Sequence, residues 1–341
     1  MKRLLPLAAA AGAGAVVASR ALRKRRAWNF DGRSVVITGG SRGLGLAIAR
    51  LFADEGAKLT IFARDGEEVE SAAADLRSRG AEVEAFTADV SDEADATRAI
   101  DRAVERWGRI DVLINNAGII AVGPEEHQER EDWERSLDVH VWGPLFTMRA
   151  AAKHMRRQGE GRIANISSIG GKIAVPHLVP YSTGKFALVG LSDGMRAELA
   201  KDNIQVTTVV PGLMRTGSPP NAEFKGQNAK EYAWFTISDA NPLLSISAER
   251  AARQIVEAVR YGDPALTISV QARLLELANT LFPDLTAAAT SLGARLLPSP
   301  TGPEGDEAKT GWQSQSALAP SPLTALSDKA SAELNQGGRP G

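Results

Sequence analysis

The feature that most limits this fold is an alternation of short, continuous apolar runs with longer amphipathic stretches of helical period. Between about Phe30 and Phe282 the runs are Ser34–Ile37, Lys58–Ala63, Glu82–Thr87, Val112–Asn115, Arg162–Ile166, Gln205–Val210 and Leu266–Val270. Helix-length patterns lie between them at Leu44–Glu55, Glu67–Arg79, Glu93–Trp107, Trp133–Met155 and Ser182–Leu199. A strand that is apolar at every position needs cover on both faces, and helices between successive strands supply it. The chain therefore reads as α/β, with a doubly wound parallel sheet of about seven strands in one domain, 29–285. After the sixth strand, Gly217–Ser245 reads as a long irregular segment carrying Phe224, Tyr232, Trp234, Phe235, Leu243 and Leu244. A loop of that length and composition is placed to act as a lid on an apolar pocket.

The remaining segments differ in composition. Residues 1–28 hold an apolar run, Leu4–Ser19, preceded by Lys2 and Arg3 and followed by Arg20, Arg23, Lys24, Arg25 and Arg26. Sixteen residues rich in Ala and Gly are short for a bilayer span. The favoured reading is a membrane anchor, spanning or interfacial, ahead of a cleaved signal or an unanchored helix. The basic excess after the run keeps the downstream domain on the cytoplasmic side, tethered to the inner face of the membrane. Residues 286–341 read as a helix followed by a largely disordered tail, because PSPTGPEGDEAKTG and NQGGRPG offer little to offset ordering entropy. Trp312 and SALAPSPLTAL are the exception, able to dock on a surface. Leu274, Leu275, Leu277, Ala278 and Leu281 form a helical stripe suited to packing or a dimer contact.

Charge and residue usage exclude several classes of function. The formal net charge is -1, so no basic excess points to nucleic acid. The chain has no cysteine, which rules out disulfides, thiolate metal sites and a catalytic thiol. His127, His140, His154 and His177 lack metal-ligand spacing, and no metal is expected.

The chemistry begins after the first run. Gly39, Gly40, Ser41, Arg42, Gly43, Leu44 and Gly45 come directly after it and lead into a helix. Glycines let the backbone approach a pyrophosphate, and the helix N-terminus offers free N–H groups, as in a Rossmann-type dinucleotide site. The second run ends at Ala63 where an NAD site would carry a carboxylate; Arg64 is next, and Arg42 lies in the loop. Two guanidinium groups suit the 2′-phosphate of NADP (NADPH), with NAD the less favoured cofactor. Asp65, one step on, is the residue that would serve NAD.

Tyr181 and Lys185 are four residues apart at the start of a helical pattern and share one face. An ammonium there would lower the phenol from its usual value of about 10. Ser167 and Ser168 end the preceding run, 13 residues before Tyr181 at Ser168, where a hydroxyl can bond a reacting oxygen or cap a turn.

Together these pieces resemble the short-chain dehydrogenase/reductase family. They are TGGSRGLG at Thr38–Gly45, Asp89-Val90, Asn115-Asn116-Ala117-Gly118, Ser168, YSTGK at Tyr181–Lys185, and Pro211-Gly212-Leu213-Met214-Arg215-Thr216, in order across about Asp31–Val270. The resemblance implies that Tyr181 exchanges the proton, Lys185 tunes it and holds the nicotinamide ribose, and Ser168 orients the substrate oxygen. It further implies that Asp89 and Val90 contact adenine. Asn116, Ala117 and Gly118 would let the cofactor lie against the backbone, and Pro211, Gly212, Met214 and Thr216 would pack on the nicotinamide. One departure stands out: the family's pattern carries asparagine where this chain has His140, in DVHVWG. That asparagine helps hold a relay water, and histidine could keep the relay, make it pH-sensitive or end it; the first is favoured. The function implied is hydride transfer between NADPH and an apolar carbonyl or alcohol, in a homodimer or homotetramer. The alternatives are a catalytically idle NADP-binding sensor or scaffold, and an epimerase or dehydratase of the extended branch, whose glycine spacing differs.

Overall fold

The computed structural model describes residues 23–337. The expected membrane anchor, 4–19, lies outside the described residues. Seven parallel strands form the central sheet: β1 (Ser34–Thr38), β2 (Lys58–Ala63), β3 (Val83–Thr87), β4 (Val112–Asn115), β5 (Gly161–Ile166), β6 (Ile204–Pro211) and β7 (Ala265–Ile268). Their order is β7-β6-β5-β4-β1-β2-β3. The direction of winding reverses between β1 and β4, which opens a crevice at the carboxyl ends of those strands.

Alternate side chains of each strand enter opposite layers. Val35 and Ile37 of β1 join Leu59, Ile61 and Ala164 beneath helices α1 (Gly43–Asp54), α2 (Gly66–Ser78) and, later in the chain, α8 (Ala248–Tyr261). Val36 joins Leu113, Ile163 and Val206 beneath α3 (Glu93–Trp107) and α5 (Gly143–Gln158). Each fully buried Ile, Leu or Val contributes about 1.5–3 kcal/mol relative to exposure. The remaining helices are α4 (Arg130–Leu137), α6 (Val179–Leu199), α7 (Asn228–Ala240), α8 (Ala248–Tyr261), α9 (Val270–Leu281), α10 (Pro283–Ala294) and α11 (Ala325–Glu333).

The structure departs from the sequence reading in four places. The continuous helix expected over Trp133–Met155 is two helices joined by a π-turn at Asp138–Trp142. The last strand stops at Ile268, because Ser269 has φ 83° and caps α9 through its side chain.

Residues 217–245 are not irregular: they contain a strand at Glu223–Phe224 and helix α7. Phe224 and Tyr232 are fully buried and meet edge to face, with ring centroids 5.4 Å apart. These aromatics form a third core with Val122, Leu178 and Ala319. Burying these rings is what organises that segment.

The tail is also ordered over its described length. Lys309–Thr310 pairs antiparallel with Glu223–Phe224, Ala319 completes the third core, and α11 places Ala330 and Leu334 in the first. A composition poor in apolar residues was offset by a ready-made sheet edge and two hydrophobic slots. The apolar stripe of α9 behaves differently: Leu274, Leu277 and Leu281 are exposed, as are Leu285 and Leu292 of α10. No helix among the described residues is long and apolar enough to cross a membrane.

Candidate active site

The loop after β1 is built from β4. Thr38 Oγ1 accepts from the Asn116 and Ala117 N–H groups, each at 3.0 Å, and Asn116 Nδ2 donates to the Thr38 and Gly39 carbonyls. These bonds tie the two strand ends together at the crevice. Gly39 and Gly43 adopt φ of 61° and 55°, which glycine alone takes at no steric cost. A Cβ on Gly45 would stand 2.1 Å from the Gly39 carbonyl oxygen, so α1 meets its own loop at a distance no other residue permits. Ser41 and Leu44 are buried beneath the turn. The backbone here leaves room for close approach and turns its helix N-terminus outward, a cradle whose geometry fits the pyrophosphate of a dinucleotide.

The chain's own tail lies on that cradle. The Gly43 N–H donates to the Leu334 carbonyl at 2.8 Å, and Gln336 Nε2 donates to the Thr216 carbonyl at 3.2 Å.

The two expected arginines have different surroundings. Arg42 is in an ion pair with Glu68 at 2.7 Å. Arg64 is exposed and lines a cleft of about 110 Å³ with Ser91, Ile119 and Asp138. Asp65 caps α2, accepting from the Glu68 N–H at 2.9 Å. Asp89 accepts from the Ser91 N–H and hydroxyl, a turn-building role, while Val90 packs in the core against Gly143. Pro211 ends β6, and a Cβ on Gly212 would meet Ser269 Oγ at 2.9 Å. Met214 sits in a short strand, Leu213–Arg215, parallel to Ser245–Ser247.

Ser168, Tyr181 and Lys185 are brought together at the carboxyl end of β5. The Lys185 ammonium nitrogen is 5.6 Å from the Tyr181 ring centroid and donates to the Ile166 carbonyl at 2.9 Å. Ser167 Oγ, buried, donates to the Lys185 carbonyl and fixes this turn of α6. Ser168 Oγ accepts from the Gly170 N–H at 3.0 Å and hydrogen-bonds Tyr181. Gly170 itself is hemmed in by Tyr181 and Ser168 at 3.3 and 3.4 Å from a Cβ position.

The electrostatics differ from the expected arrangement. Burial raises the Tyr181 phenol above its usual value, with the Ser168 hydrogen bond acting the other way. Burial also brings Lys185 down to about 7. Desolvation of the pair thus outweighs the lowering of the phenol that sequence spacing implied.

His140 is fully buried in the π-turn, edge-on to Tyr181 at 5.4 Å. Its Nε2 accepts from the Ile119 N–H at 3.3 Å, which leaves the proton on Nδ1. Nδ1 donates to Ser136 Oγ at 3.2 Å, and that hydroxyl donates to the Pro180 carbonyl at 2.8 Å. Burial, and then the Lys185 charge, hold the imidazole well below 6.5, so it is neutral at ordinary pH. With both ring nitrogens engaged by the protein, this geometry gives His140 no lone pair for a relay water. A Cβ on Gly118 would stand 3.2 Å from His140 Nε2 and 3.7 Å from the Lys185 ammonium, so that glycine keeps the strand end open.

Sequence reasoning missed Glu68, Ser136 and the 334–336 segment. Ser136 carried a signal, lying four residues before His140 on one helix face. The other two carried none, because their roles arise only when distant segments meet.

The family described as short chain dehydrogenase matches residues 33–224 of this chain. The uncharacterized oxidoreductase YxnA of Bacillus subtilis is 32% identical over 255 residues, 74% of this chain and 69% of its own length. Gluconate 5-dehydrogenase of Gluconobacter oxydans is 33% identical over 192 residues, 55% of this chain and 74% of its own. The crystal structure of levodione reductase superposes with a TM-score of 0.62 and 28% identity, covering 72% of this chain and 99% of that one.

Proposed function

The chain belongs to the short chain dehydrogenase family and is an oxidoreductase of nicotinamide-using type, and from that premise we propose that it is an NADP-dependent reductase or dehydrogenase acting on an apolar carbonyl or alcohol. The observation that carries the reading is the convergence of Ser168, Tyr181 and Lys185 at the carboxyl end of β5, beside the glycine cradle. Two relatives' names, gluconate 5-dehydrogenase and levodione reductase, support the carbonyl–alcohol class.

A bound nicotinamide dinucleotide supplies or accepts the hydride. The chain's own residues handle the proton: the Tyr181 phenol gives it to the substrate oxygen in reduction and takes it in oxidation. The Ser168 hydroxyl, already within hydrogen-bond reach of Tyr181, orients that oxygen. Lys185, fixed by the Ile166 carbonyl, supplies a charge whose value depends on how far the site is desolvated. His140 acts as a positioning residue, holding the α6 N-terminus through Ser136 and the Pro180 carbonyl. The idle-sensor alternative gains nothing from this arrangement, since each proton-handling group is in contact with another.

The absence of a carboxylate at Ala63, together with Arg42 in the loop and Arg64 beyond it, supports NADP. The Arg42–Glu68 ion pair favours a second reading, NAD, because Glu68 already occupies the guanidinium that a 2′-phosphate would need. Comparing kcat/KM for NADPH and NADH decides between them, and Glu68→Gln should raise the NADPH preference if the first reading holds. A panel of apolar ketones and aldehydes, followed by loss of NADPH absorbance with Tyr181→Phe as control, tests the activity. No turnover of any member by wild type would count against it. We further propose a cytoplasmic catalytic unit over 29–285, held at the inner face of a membrane through 4–19 and working as a homodimer or homotetramer. Liposome flotation and light scattering test these two points.

A further inference from the structure

The tail reaches the crevice by a defined route. Helix α11 ends at Glu333, Leu334 is its C-cap, and Asn335 takes the left-handed conformation, φ 57°. The Gln336 N–H then returns to the Ser331 carbonyl at 2.9 Å, the six-to-one bond of a Schellman turn. That turn aims residues 334–336 at the glycine loop. Arg50 Nη1 holds the Glu333 carbonyl at 3.0 Å, and Leu334 is 1% exposed.

One contact made there uses a donor that a dinucleotide's phosphate would need, and the others hold the tail in place over it. The Leu334 carbonyl takes the Gly43 N–H at the start of α1, where positive potential is greatest. Asn335 Nδ2 donates to the Ser41 and Glu68 carbonyls, both at 3.0 Å. The Gln336 carboxamide is 4% exposed and fully engaged, donating to the Thr216 carbonyl and accepting from Asn221 Nδ2 at 2.8 Å. Its Nε2 lies 2.6 Å from where a Cβ on Gly43 would stand. One N–H cannot serve both a peptide carbonyl and a phosphate, and the carboxamide fills the space between Gly43 and Thr216. Tail and dinucleotide therefore exclude one another.

We propose that residues 331–337 are a built-in competitor for the dinucleotide, docked on the phosphate cradle when it is empty and released when the cofactor binds. The proposal rests on the reading of that cradle as a nicotinamide-dinucleotide site. A covalently attached competitor acts at a high, fixed effective concentration. The apparent Kd of the cofactor is then its intrinsic Kd divided by the fraction of molecules with the tail open. The tail thus sets a threshold of cofactor concentration below which the enzyme stays closed.

The test uses the full chain and NADPH. Hydrogen exchange is followed with and without saturating NADPH, and Kd is measured by nicotinamide fluorescence for wild type and for Asn335→Ala/Gln336→Ala. Exchange over 331–337 should rise on binding while α1 stays protected. The double variant should bind NADPH about tenfold more tightly, equivalent to about 1.4 kcal/mol. A tail that stays protected at saturation, or a double variant with unchanged Kd, overturns the competitor and leaves the dinucleotide site standing. If neither NADPH nor NADH binds wild type or the variant, the dinucleotide reading falls and takes the competitor with it.

Discussion

Replacing Asp239 with asparagine tests the electrostatics of the docked tail quantitatively. Asp239 lies in α7, is 6% exposed, and accepts from Ser327 Oγ of α11 at 3.1 Å. Burial lifts its carboxyl from 3.8 to about 7, with the Ser327 hydrogen bond and the charge of Arg215 pulling the other way. A carboxyl raised in the folded state binds a proton that the unfolded chain has released. Its contribution to stability is therefore present below about pH 4 and is lost as pH rises to about 7. From pH 5 to the folded value is about two pH units, at about 1.36 kcal/mol each, so wild type should lose roughly 2.7 kcal/mol that Asp239→Asn keeps.

Two other buried groups run the opposite way. His140, held well below 6.5, adds stability as pH rises toward 6.5, and Lys185 does so between about 7 and 10.5. Both are common to wild type and variant and cancel in the difference. Urea unfolding at pH 5 and pH 8 reads that difference as a midpoint shift on the order of 1 M at pH 8. Equal pH slopes for wild type and variant would refute the claim that Asp239 is buried uncharged beneath the tail.

The site itself sets further outcomes. Tyr181→Phe should lower kcat by about 10²–10⁴-fold while leaving the NADPH Kd within twofold, measured by turnover and fluorescence titration. Gly45→Ala should abolish dinucleotide binding and lower stability by more than about 2 kcal/mol, because its Cβ would stand 2.1 Å from a carbonyl oxygen; titration and thermal melting check both. His140→Asn should leave the pH–rate profile unchanged between pH 6 and 8, since the imidazole is neutral throughout and carries no exchangeable relay proton. Ser136→Ala should cost about 1 kcal/mol by breaking the bridge to the Pro180 carbonyl, read by chemical denaturation.

Much of this protein is written in local pattern. Unbroken apolar runs spaced by helical periods dictate a parallel sheet with helices on both faces, because each strand must be covered twice. Glycines between the first run and the first helix dictate a backbone cradle, and a tyrosine four residues before a lysine places both on one helix face. These inferences depend on neighbours within a turn or a strand, so the sequence carries them. The broken helix at Asp138–Trp142 shows the limit, since apolar periodicity cannot reveal one extra residue per turn. The protonation of Tyr181 and Lys185 was not legible either, because desolvation depends on atoms from β5, α6 and the strand ends together. The tail shows the same limit most sharply. By composition NQGGRPG lacks the apolar surface to order itself, and its described residues, 335–337, are held in place because Leu334 beside them finds a slot near α1 and its backbone finds the N–H of Gly43. Those partners lie almost three hundred residues away along the chain, and only folding brings them within reach.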